Sequence, residues 1–389
     1  MNYILFDDSR EKLLPLTFTR PVCDLRIGIL TIREKWESYL KVSTSTLTED
    51  YLKVKFPLVS ASENVFINGS VCPTNELVAA ITSLTEGDRL VKNGKLLAVR
   101  VVGDVSNFQK ETEGGIEFGG EILSVVNPWD IFSKNGEAIE ADFQLLTAGK
   151  TSAKLSENNT VIGNGKIFLE EGAKAEACIF NTSSGSIYLG KNSEVMEGSI
   201  IRGPFALCEG SQVKMGAKIY GPTTVGPESR VGGEVNNSVI MGYSNKGHDG
   251  FLGNSVLGEW CNLGADTNNS NLKNNYDEVR VWSYETERFA KTGLQFCGLI
   301  MGDHSKSGIN TMFNTGTVVG VSTNVFGPGF PRTFIPSFQW GGAAGFTEYN
   351  AEKAFATAER VMQRRGKKFD ETEKAILSSV FDLTQRFRN

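Results

Sequence analysis

The chain has 389 residues, 40% hydrophobic and 22% charged, with a formal net charge of -5 and a pI near 5.4. That length predicts two or three domains, and the acidic balance excludes a broad basic face for nucleic acid or an anionic membrane. No apolar run approaches the ~18 residues of a spanning helix, and the opening MNYILFDDSREK turns acidic after six residues, unlike a signal peptide; the expectation is a cytoplasmic protein.

In chain order, YILF at 3–6 reads as a buried strand and IGILTIREKWESYL at 27–40 as a helix with a charged face. KLLAVRVV at 95–102 predicts a second strand, and VNPWDIFSKNGEAIEADFQLL at 126–146 a helix entered through a Pro-Trp-Asp turn. The alternation predicts an α/β domain over residues 1–150. Glycine, with only four in the first 100 residues, then becomes dense, and from about 167 a six-residue period emerges: IFLEEG, AKAEAC, IYLGKN, SEVMEG, and later IMGDHS, KSGINT, MFNTGT.

A short fixed period predicts a stacked solenoid. In a triangular coil one aliphatic side chain per face points inward, and Gly, Asn and Asp take the corners, where φ turns positive. We expect this parallel β-helix over 155–330, with on the order of eight coils at ~4.8 Å spacing. LKNNYDEVRVWSYETERFAKTGLQFC, 272–297, is too charged and aromatic for coil corners and reads as a loop or hairpin excursion. Past 330 the period stops, and 331–389 predicts a carboxyl-terminal extension with two helices, the second opened by Asp370 and Glu373 as a capping box. The six cysteines form no CxxC and sit beside no histidine, which points to buried small residues and to no metal site.

Only two histidines occur, His248 and His304. The stretch around the first, KGHDGFLGNSVLGEWCNLGADTNNSN at 246–271, resembles the acetyltransferase half of the bifunctional N-acetylglucosamine-1-phosphate uridyltransferase/glucosamine-1-phosphate acetyltransferases and their archaeal sugar-1-phosphate relatives. There a histidine precedes Tyr-(Leu/Ile)-Gly, a hexapeptide, Asn-(Ile/Leu)-Gly-Ala-Gly-Thr and a further Asn. The resemblance implies a left-handed parallel β-helix that trimerises, with acetyl-CoA as acyl donor between neighbouring prisms. His248 falls at the family's general base and Glu234 at an acid near it, suited to orient the ring. Asn262 and Asn271 fall at asparagines that contact sugar and donor, and Arg280 where the archaeal relatives carry a functional Lys. Arg230 and His304 join the acceptor side. Three departures bear on the acceptor: Phe251 replaces a Tyr, Asn236 a phosphate-binding Lys, and Asp266 the second Gly of Gly-Ala-Gly-Thr.

LLPLTFTRPV at 13–22 and Asn-Pro-Trp-Asp at 127–130 resemble, more distantly, the nucleotidyltransferase half of the same family. The Gly-x-Gly-Thr-Arg loop that cradles a triphosphate is missing; Asp7, Asp8, Ser9 and Arg10 stand in its place. Arg10 and Arg20 are then the candidates to replace lost cations, and Asp104 to hold Mg²⁺ if that domain is active.

The expected chemistry is acyl transfer from a thioester to the amine of an amino sugar phosphate or nucleotide-linked amino sugar, with neutral imidazole as base. The alternatives are a sugar-1-phosphate nucleotidyltransferase working through its amino-terminal domain and a non-catalytic trimeric scaffold. The expected partners are the small-molecule sugar phosphate or nucleotide sugar and two further copies of the chain, reached by the excursion; nucleic acid and membrane are not expected.

Overall fold

The computed structural model describes residues 1–388. The amino-terminal domain runs β1 (Asn2–Phe6), α1 (Ile32–Leu40), β2 (Ser45–Leu47), β3 (Glu63–Asn68), α2 (Asn75–Thr82), β4 (Arg89–Lys92), β5 (Lys95–Val102), β6 (Ile116–Glu117), α3 (Pro128–Ser133) and α4 (Asn135–Thr147). Its sheet has the order β2-β1-β3-β5-β4-β6. The chain leaves β1 for a parallel partner on one side and returns to a parallel partner on the other. Such a reversal opens a crevice beyond the carboxyl ends of the strands.

Two helix boundaries differ from expectation. The first helix starts only at Ile32, because Thr31 and Glu34 close a capping box there. The preceding turn is held instead by Asp142, whose carboxylate accepts the N–H groups of Ile29 and Leu30. Gly28 takes φ +74 in this turn, and a Cβ there would lie 2.5 Å from Asp142 Oδ2. The segment at 126–146 forms two helices, α3 and α4, which break at Lys134.

The repeats form a parallel β-solenoid with three faces. The first face has six strands, from Thr160–Ile162 to Phe251–Gly253, and the second nine, from Ile167–Leu169 to Phe334–Ile335. The third runs from Lys174–Ala175 to Gln339–Gly342. On the second face Leu189, Leu207, Val225, Ile240, Leu257, Met301, Val319 and Ile335 stack inward in register, all buried. Burying such a side chain stabilises by about 1.5–3 kcal/mol, so each rung holds the next. The ladder outlasts the visible period: Phe334–Ile335 and Gln339–Gly342 still pair with the coil below. Pro, Phe and Trp in those coils hide the hexad.

The corner after the second face departs further. Its first coils carry the expected residues, Gly172, Asn192 and Gly210, but farther along Tyr243, Trp260, His304, Ser322 and Phe338 take φ of 52, 62, 60, 53 and 55. Left-handed backbone at bulky residues costs of order 1–3 kcal/mol each. Burial and stacking offset it: the Tyr243 and Trp260 rings are 4.3 Å apart, and Phe338 is fully buried.

The amino-terminal domain docks on the second face. Asn135 accepts the Gly28 N–H and donates to Pro222 O, and Arg26 donates to Met241 O. The excursion is an antiparallel hairpin, Arg280–Ser283 with Arg288–Lys291. One face of the hairpin, up to its turn, packs on its own chain: Trp282 stacks on Phe334 at 4.2 Å and Tyr284 packs edge-on against Phe18 and Phe387. The reason is apolar, since Val279, Val281 and Tyr284 are buried by their own chain. Helices α5 (Ala351–Gln363) and α6 (Glu371–Leu383) close the third face and the aromatic corner, with Phe338 against Phe355 and Phe381. Asp370 caps α6, whereas Glu373 pairs with Lys55 and does not complete the box. Among the described residues no helix is long and apolar enough to cross a membrane.

Candidate active site

His248 sits in a four-residue loop, 247–250, at the corner between the third and first faces. Neighbouring coils clamp its backbone: Glu234 N–H donates to Gly250 O below, and Asp266 N–H to Asp249 O above. Gly250 takes φ +112, and a Cβ there would lie 2.3 Å from Thr267 O, so only glycine fits. From inside the prism, Lys246 donates its ammonium to His248 O. This lysine stands in a column that is otherwise largely aliphatic, next to Val231. Burial pushes its ammonium down to about 8. The loop is thus rigid, while the His248 imidazole is exposed and makes no hydrogen bond among the described residues.

The ring borders a cleft of about 730 Å³. The floor is an outward-facing ladder on the third face, Arg230, Asn245, Asn262 and Lys306 on successive rungs. One wall is the Tyr243–Trp260 stack, and the other is the end of α5 with Val361, Arg364 and Arg365. Arg365 donates to Asn245 Oδ1 at 3.1 Å. Lys306 donates to His304 O, and burial pushes its ammonium down to about 8. A group held beside His248 would meet an exposed imidazole and a cationic surround.

Of the expected site residues, His248, Arg230 and Asn262 share this cleft. Glu234 and Phe251 lie around the corner on the first face. The expected role of Glu234 in orienting the imidazole is not what its contacts give: its carboxylate accepts from the Tyr220 hydroxyl at 2.5 Å instead. Asn236 lines a separate cleft of about 700 Å³ with Arg202, Lys218 and Tyr220. Asn271 donates to Asn254 Oδ1 where the excursion leaves, and Arg280 is exposed on the hairpin. His304 does not share the His248 cleft. It is 7% exposed on the aromatic corner and lines a second cleft of about 420 Å³ between the domains. Its Nδ1 is buried without a partner, and burial holds the ring neutral by lowering its pKa well below the usual value.

The amino-terminal candidates have structural partners. Arg10 donates to Thr17 O and to the Tyr51 hydroxyl. Arg20 is buried between Asp303 and Glu259 and ties the domain to the solenoid. Asp104 caps a short turn through the Ser106 N–H. The crevice beyond β1 and β3 is lined instead by Asp8, Asn68, Lys95 and Lys110. Mg²⁺ fits poorly there: Asp7 accepts from Val22 N–H and the Thr48 hydroxyl, and Asp8 is engaged by Asn68 and Lys95. Lys214, Lys306, Arg364 and Arg365 were missed in the cleft. The only local signal was Arg-Arg at a helix end, which also suits a simple helix stop.

The fold and clefts describe a two-part protein, an α/β domain fused to a hexapeptide-type solenoid. Residues 3–151 match the family described as sugar nucleotidyl transferase. The chain is 30% identical over 213 residues to the bifunctional protein GlmU of Methanocaldococcus jannaschii, covering 55% of this chain and 45% of that protein. It is 28% identical over 215 residues to the bifunctional sugar-1-phosphate nucleotidylyltransferase/acetyltransferase of Sulfurisphaera tokodaii, covering 54% and 46%. It is 26% identical over 153 residues to the putative uncharacterized acetyltransferase YaiX of Escherichia coli K12, covering 39% and 66%. The chain thus spans about half the length of the bifunctional relatives it matches. A solved structure of the polySia specific acetyltransferase NeuO has 13% identity and a TM-score of 0.28, covering 54% of this chain and 99% of that one.

Proposed function

We propose that the chain is an acyl-CoA-dependent transferase with His248 as general base, acting on an amino sugar phosphate or a nucleotide-linked amino sugar. The carrying observation is the unpartnered, exposed imidazole on a loop fixed from both sides, beside a cleft that also holds Arg230 and Asn262. In the reaction the amine nitrogen attacks the thioester carbonyl and the C–S bond breaks. The amine proton passes to the imidazole and from there to the departing thiolate. Asn262 orients the acceptor through its exposed amide, and the Trp260 wall packs against the donor. Acetyl is the simplest acyl group. Thermal shift tests the reading: acetyl-CoA and a hexosamine phosphate should each raise the melting temperature. No shift with any acyl-CoA contradicts it.

Nucleotidyl transfer in the amino-terminal domain is the second reading, favoured by the family match over residues 3–151. It is the weaker one, because the crevice presents carboxylates already paired and no glycine-rich phosphate loop. Rapid pyrophosphate release from a nucleoside triphosphate and a sugar 1-phosphate would favour it.

A further inference from the structure

We propose that Arg364 and Arg365, at the carboxyl end of α5, form with Lys214, Arg230 and Lys306 a phosphate-binding subsite beside His248, so that the carboxyl-terminal helix selects an anionic substrate. This rests on the acyl-transfer reading for its purpose, though not for its geometry.

Five cationic side chains line this one cleft, and no Asp or Glu does, in a chain whose net charge is -5. Surface cations in an acidic protein ordinarily find carboxylates. Here Glu228 alone approaches, 3.7 Å from Arg230 and 3.8 Å from Arg365, and it lies outside the lining. Lys214, Lys306 and Arg364 have no carboxylate within 4.0 Å among the described residues. Holding these charges together costs Coulomb energy that a bound anion removes. At Arg230 burial lowers the pKa, Glu228 opposes that shift, and the nearby Arg364 adds a smaller lowering. The guanidinium fork matches phosphate oxygens in pairs, and a concave wall raises its field. Two positively charged elements therefore face each other, the ladder on the floor and the end of α5.

A phosphate here comes from the acceptor sugar or from CoA. Titration calorimetry of the full chain with glucosamine, glucosamine 1-phosphate, CoA and dephospho-CoA separates the sources. The expected result is binding of at least one phosphorylated probe and not of glucosamine. Arg364→Gln/Arg365→Gln should then lose about tenfold or more in affinity for that same probe. Gly247→Leu is the second variant: a Cβ at Gly247 meets open space, so the side chain fills the cleft without disturbing the coil. It should block the probe while the melting temperature holds. No binding of any phosphorylated probe, or unchanged affinity in the arginine variant, overturns the subsite. If His248→Ala abolishes turnover while the arginine variant binds normally, the subsite fails and the acyl-transfer reading stands. If the arginine variant loses the probe but the native chain transfers no acyl group, the reverse holds.

Discussion

Arg20 shows how a residue's type misleads when its partners lie far along the chain. Beside a motif resembling a nucleotidyltransferase it reads as a cation for a triphosphate. Its partners Asp303 and Glu259 lie in the solenoid, and Thr19 adds a hydrogen bond to the same Asp303. Arg20 and Asp303 are 7% and 3% exposed. Removing one partner of such a pair leaves a buried charge uncompensated, so Arg20→Met should cost about 3–5 kcal/mol. Chemical denaturation checks this; an unchanged midpoint together with a lost nucleotide affinity would restore the earlier reading. By contrast, that His248 and Asn262 lie beside one cleft agrees with their spacing in the stretch 246–271 that resembles the acetyltransferase family. Asp266 explains itself at this scale too: it takes φ 57, which Asp tolerates, at a corner where glycine was expected. Arg365, 120 residues from its partner Asn245, left no such trace.

At the scale of elements, the hexad period located the solenoid and failed where aromatic residues replaced the usual corners. Trp260, His304 and Phe338 hold left-handed corners while buried, and Tyr243 holds one stacked on Trp260; such tertiary contacts are not written in local periodicity. The excursion was legible as a hairpin, but not the packing of its apolar side on its own chain. Its charged residues suggested solvent or a neighbour, while Val279, Val281 and Tyr284 decide the packing. Tyr284→Ala removes a fully packed ring between Phe18, Phe334 and Phe387. It should destabilise by about 3–5 kcal/mol, measured by urea unfolding. A loss under about 1 kcal/mol would mean that the hairpin is only loosely seated.

For the whole molecule, one continuous core joins the amino-terminal domain, the second face, the hairpin and α5–α6. The first face keeps exposed apolar groups: Ile179, Ile200 and Tyr220 are 37%, 46% and 37% exposed. We propose that this face pairs copies of the chain into a homotrimer. Sedimentation should give three times the 42.5 kDa chain mass, and Ile200→Lys should dissociate it. A monomer at micromolar concentration contradicts this. The central claim is the chemistry at His248, and its most direct measurement is thiol release from acetyl-CoA in the presence of amino sugar phosphates, native chain against His248→Ala. The account predicts turnover by the native chain, a fall of about 100-fold or more in kcat for the variant, and nearly unchanged acetyl-CoA affinity. Full turnover by His248→Ala would contradict it.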